Sequence, residues 1–152
     1  PCLVDGDLVL TESSACCTWV GTQHPESGLV PSDPRDRARY DRWVSFVTTE
    51  LEQPLWTKAK HKFVLPEALR APAAVPGAVW EWERACRALS AELGGRAFLV
   101  GDAFTVADLL CAHTISWART AKFDVPEDLW AYARPHLGRP ALASAFARER
   151  EG

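Results

Sequence analysis

The chain has 152 residues, 47% of them apolar and 24% charged, the composition of a soluble globular domain and not of a disordered or collagenous one. Lysine and arginine total 17 against 20 aspartates and glutamates, and the formal charge of −3 argues against nucleic-acid binding through an overall positive field. No apolar run reaches the roughly 18 residues of a membrane-spanning helix; Met is absent and the chain opens on Pro1, so it reads as a fragment.

Two short apolar runs, Leu3-Val4 and Leu8-Val9-Leu10, flank Asp5-Gly6. Asp-Gly between such runs predicts a hairpin with Asp5 and Gly6 central in a type I′ turn. A short helix from Ala15 to Val20 is expected to start at Ser13-Ser14, and the glycines and prolines of residues 21–32 read as a connection. Two strands and one helix cannot bury their own faces, so the strands need further partners.

From Asp33 the pattern is helical. Ser32-Asp33-Pro34 supplies an N-cap with proline at the first helical position. Tyr40, Trp43, Val44, Val47, Leu51 and Leu55 then repeat at helical spacing, with Pro54 expected to kink or end the helix. Arginines 35, 37, 39 and 42 read as a solvated face, as does the basic cluster Lys58, Lys60, His61 and Lys62. Val79, Trp82, Cys86, Leu89 and Leu93 form a second stripe, closed by Gly94-Gly95. Thr105 and Asp108 stand at the N-cap and third position of a further helix, an acidic variant of the capping box. Phe104 and Leu109 occupy the positions of a hydrophobic staple, and the helix continues through Leu110, His113 and Trp117. Two shorter helices, near 127–136 and 141–149, finish the chain.

Cys2, Cys16, Cys17, Cys86 and Cys111 form an odd set without C-x-x-C spacing, and the four histidines are scattered singly. A disulfide framework and a metal site are therefore not expected, and a reducing cytoplasm is the simpler setting.

Four features in this order resemble the glutathione transferase family. Pro1 with Leu3-Val4-Asp5-Gly6 and Leu8-Val9-Leu10 resembles its P-x-L-x-D-G-x-x-L strand pair, and Glu12-Ser13 its (E/Q)-S motif. Residues 101–108, Gly-Asp-Ala-Phe-Thr-Val-Ala-Asp, resemble its helical-domain capping box, and residues 132–148, with Arg139-Pro140-Ala141, its last helices. The resemblance implies a thioredoxin-like α/β domain represented by its C-terminal hairpin and last helix (residues 1–24), a linker (25–32) and an all-helical bundle (33–152). The strand–helix–strand unit that opens such a domain is not in the sequence.

The resemblance further implies a cytoplasmic homodimer that conjugates glutathione to small electrophiles. Glutathione would be the co-substrate, and no metal, nucleic acid or membrane would take part. Ser13 at a helix start can donate its hydroxyl to the γ-glutamyl carboxylate, where the free N–H groups also favour an anion. Glu12 supplies the opposite charge for the ligand's α-amino group. Pro1 corresponds to the family's cis-proline. The thiol-activating residue belongs to the first strand-to-helix turn, so the catalytic residue is unknown. Thr49, Gln53, Trp56, His113 and Trp117 are candidates for the electrophile pocket, although His113 and Trp117 also suit core packing. Thr105 and Asp108 are assigned to folding alone. The competing readings are a ligand-binding or assembly module without turnover, and a glutathione-dependent reductase or peroxidase on the same scaffold.

Overall fold

The computed structural model describes residues 1–151. Strands β1 (Cys2–Asp5) and β2 (Leu8–Thr11) pair antiparallel and are followed by helix α1 (Ser13–Gln23). Pairing of Asp5 with Leu8 leaves Gly6-Asp7 as the two-residue loop. The expected turn is thus shifted by one residue. Gly6 has φ of 61° while Asp7 does not share the positive φ, the pattern of type II′ and not type I′. The cross-strand pair Val4 and Val9 is 68% and 62% exposed, leaving one face of the hairpin bare.

Helix α1 runs well past its expected end. Gly21, read as the start of a connection, is a buried helical residue against Leu29 and Val30. A Cβ there would lie 2.7 Å from Val30 Cγ2, so only glycine permits this approach. The Trp19 indole donates to Asp5 Oδ2 at 2.9 Å, Thr18 Oγ1 and Tyr40 Oη are 2.7 Å apart, and Val106 N–H donates to Leu29 O. These bonds tie hairpin and helix to the bundle.

Helix α2 (Pro34–Phe46) is capped as expected, Asp33 Oδ1 accepting from Arg35 N and Asp36 N. It passes through a π turn (Val47–Leu51) into α3 (Glu52–Ala59) and a second π turn (Lys60–Val64). Pro54 neither ends nor breaks this rod. Its ring would clash with the carbonyl four residues back, and the wider π turn lies just where that carbonyl, of Glu50, must move aside.

Helix α4 (Val75–Leu93) buries Trp82, Cys86, Leu89 and Leu93 but leaves Val79 at the surface, Ala78 taking the inner position. Helices α5 (Val106–Thr120), α6 (Glu127–Leu137) and α7 (Pro140–Glu151) complete the chain. The α2–α3 rod, α4, α5 and α6 enclose one core, with Trp43, Leu51, Leu55, Trp82, Leu89 and Ile115 at 0–2% exposure. The Phe104 ring packs at a tilt against the His136 ring, centroids 5.2 Å apart, and the Arg139 guanidinium stands 4.0 Å from the Phe104 ring centroid.

Candidate functional site

Glu12 is the N-cap residue of α1, with φ 68° and ψ 120°, a conformation that costs a non-glycine residue of order 1–3 kcal/mol. Its carbonyl accepts from Cys16 N–H at 2.9 Å, which closes the first helical turn. Ser13 is therefore the first helical residue and not the N-cap that a simple folding role would make it. Both side chains are exposed, and neither caps the helix. The first-turn N–H groups lack intrahelical partners, so hydroxyl, amides and positive helix end converge on one spot beside a carboxylate. The β1–β2 register ends with Cys2 paired to Thr11, so Pro1 directly precedes the paired end of β1 and Glu12 directly follows that of β2.

The electrophile candidates separate into a joined pair and three others. Trp56 and Trp117 meet edge to face, with centroids 5.1 Å apart. Trp56 is 39% exposed and its indole donates to Glu52 Oε1 at 2.9 Å. Glu52 was absent from the sequence candidates, although its i,i+4 spacing to Trp56 is a readable signal. Thr49 and Gln53 are exposed, and their donors go to backbone carbonyls of their own rod, Ser45 O and Thr48 O. His113 is exposed on α5 and is no core residue. The buried face of α5 runs through Ala107, Cys111, Thr114, Ile115 and Ala118, one residue round from the stripe expected through Leu110, His113 and Trp117.

Cys16 Sγ donates to Leu10 O at 3.7 Å, and burial raises the pKa of Cys17. Burial also pushes the Cys86 thiol up to about 12 and the Cys111 thiol higher. None of these three raised thiols is poised as a nucleophile. Asp108 is fully buried. Its Oδ2 accepts from Thr105 N and Thr105 Oγ1, both at 2.9 Å, and its Oδ1 from Leu99 N and Tyr132 Oη, both at 2.8 Å.

Residues 53–139 match the family model of the glutathione S-transferase C-terminal domain, more than half of the chain. The chain belongs to the glutathione S-transferase family. It is 28% identical to a glutathione S-transferase of Emericella nidulans over 90% of its length and 50% of that protein's. With glutathione S-transferase GST-4.5 of Xanthomonas campestris pv. campestris the identity is 29%, over 82% of this chain and 62% of the other. A sphingomonad glutathione S-transferase solved with glutathione superimposes with a TM-score of 0.85 at 29% identity, covering all of this chain and 74% of that one. The chain thus spans between half and two thirds of those two curated relatives. Its hairpin and α1 are the closing part of a thioredoxin-like domain, and the helices from α2 onward are the family's all-α domain.

Proposed function

We propose that the protein containing this chain conjugates glutathione to small electrophiles. The observation that carries this reading is Glu12, held at a positive φ with its carboxylate free, beside the exposed Ser13 hydroxyl at the start of α1. Glutathione presents a zwitterionic amino-acid end. Its α-carboxylate matches Ser13 and the open amides, and its α-ammonium matches Glu12. Pro1, next to the Cys2–Thr11 pair that ends the hairpin, belongs beside the cysteinyl part of the ligand. The edge-to-face pair Trp56–Trp117 offers an apolar wall for the electrophile, with Gln53 and Thr49 along the same rod and His113 on α5. The group that activates the thiol is assigned to the family's first strand-to-helix turn, upstream of Pro1. Thr105 and Asp108 keep a folding role. The division at residues 24 and 33, a homodimer and a cytoplasmic setting complete the reading.

Immobilised glutathione tests it with the full-length protein. Retention together with turnover of an aryl halide is the expected result, and Glu12→Ala and Ser13→Ala should each weaken glutathione binding about tenfold, roughly 1.4 kcal/mol. Retention without turnover of any electrophile would favour a binding module, and thiol–disulfide exchange in its place a reductase. Unchanged binding in both variants would remove the assigned site.

A further inference from the structure

The sequence contains four lysines, and the fold brings all of them to one corner. Lys58, Lys60 and Lys62 lie at the end of the α2–α3 rod, and Lys122 follows α5. Lys58 Nζ donates to Ala121 O at 2.8 Å and to Lys122 O at 3.2 Å, and stands 4.3 Å over the Phe123 ring. Its pKa is lowered by desolvation first and then by Lys62 and Lys122, so the charges feel one another. Among the described residues, no lysine has a carboxylate within 4.0 Å, whereas Arg37, Arg39, Arg42 and Arg84 all do.

Lys58 and Lys62 form a wall common to two adjoining clefts. One, of about 540 Å³, continues past His61 and Arg70 to Pro72 and Val75, with Glu67 its one acid. The other, of about 260 Å³, is lined by Leu55, Phe63, Trp117 and Lys122. The Arg70 guanidinium is committed to Leu65 O and Phe63 O, and Lys58 to the end of α5. Lys62 and Lys122 are exposed and carry the free charge. A concave surface with apolar walls and unpaired cations at its rim suits a small molecule with an apolar body and an anionic head. Trp117 belongs both to this groove and to the edge-to-face pair with Trp56.

We propose that this groove extends the electrophile site and gives the protein a preference for electrophiles that carry a carboxylate or similar anion on an apolar body. The proposal rests on the conjugation reading above. Lys62 and Lys122 hold the anionic head, Phe63 and Trp117 take the body, and the reactive carbon faces the glutathione thiol beyond Trp56.

The full-length protein is tested with 4-chloro-3-nitrobenzoate and with its methyl ester. In both, the glutathione thiolate forms the C–S bond, chloride leaves with the C–Cl electron pair, and the thiol proton passes to solvent. Only the distal charge differs. The variant combines Lys62→Gln with Lys122→Asn, asparagine being chosen because Lys122 has φ 59° and asparagine tolerates that region. The acid-to-ester ratio of kcat/KM should fall about fivefold or more in this variant, and high salt should lower the wild-type ratio but not the variant's. Lys60→Gln, outside both clefts, should leave the ratio as it is. A double-variant ratio within about twofold of wild type, with both electrophiles turned over, overturns the groove. If neither is turned over, conjugation fails as a reading, and calorimetry with the acid alone decides the groove. Binding of the acid that the double variant weakens then supports it, and absent or unaltered binding overturns it.

Discussion

Asp108 shows how much a single buried carboxylate can organise. As the return arm of a capping box it would be worth about 0.5–2 kcal/mol. Here it also holds Leu99 N–H, in the segment before α5, and the Tyr132 hydroxyl of α6. Removing it would strand several buried donors at once, so Asp108→Ala should destabilise by about 3–5 kcal/mol in a urea titration. Glutathione affinity of the folded fraction should be unchanged, because no part of the network touches Glu12 or Ser13. Cys86 has a different consequence. Its thiol ionises near 9 in the unfolded chain but near 12 in the folded one, through burial and then Asp128, Asp124 and Glu83. The unfolded state therefore loses its proton first as pH rises. The contribution is intact below pH 9 and is lost between 9 and 12. Melting temperatures measured across that window should fall less steeply for Cys86→Ala than for wild type. Burial raises the pKa of Cys111 and Tyr132 in the same sense, which adds to the alkaline sensitivity of this core.

Among the elements, α1 depends on one missing side chain. Gly21 lets the helix approach Leu29 and Val30, and Val30 belongs to the core of the bundle. Val30 is β-branched and has little freedom to move its Cγ2 aside. Gly21→Ala should therefore cost about 1–3 kcal/mol despite the better helix propensity of alanine, as thermal unfolding would show. The α2–α3 rod uses the opposite device. A π turn before Pro54 absorbs the lost hydrogen bond, and the rod continues far enough to carry Thr49, Gln53, Trp56 and three of the four lysines on one element.

Across the whole molecule, a net charge of −3 conceals a local cluster of four lysines. Lys58, Lys60 and Lys62 sit at the end of the rod and Lys122 just after α5, while Glu12 and Ser13 lie at the start of α1, with the tryptophan pair as a third feature. Two sites without shared partners should act independently. Glu12→Ala should thus weaken turnover of the benzoate and of its ester by the same factor. The Lys62→Gln, Lys122→Asn pair should affect the acid alone, and the two fold-changes should multiply when the variants are combined.

The sequence by itself determined what depends on neighbours within a turn or two of helix. The Asp33 cap, the stripes through Trp43, Leu51 and Leu55 and through Trp82 and Leu89, the Thr105–Asp108 box and the Glu12-Ser13 helix start all rest on i,i+3 and i,i+4 geometry, which the order of residues sets directly. Only the tertiary structure decided the rest. Helical spacing allows more than one stripe on α5, and close packing around Ala107, Cys111 and Ala118 selected the one that turns His113 outward. The hairpin turn depended on pairing register, which placed Asp5 in a strand opposite Leu8. Lys122 joins Lys58 across more than 60 residues of chain because Lys58 reaches the carbonyls at the end of α5. Local order fixes which face a helix can bury; which charges meet depends on how the helices are packed.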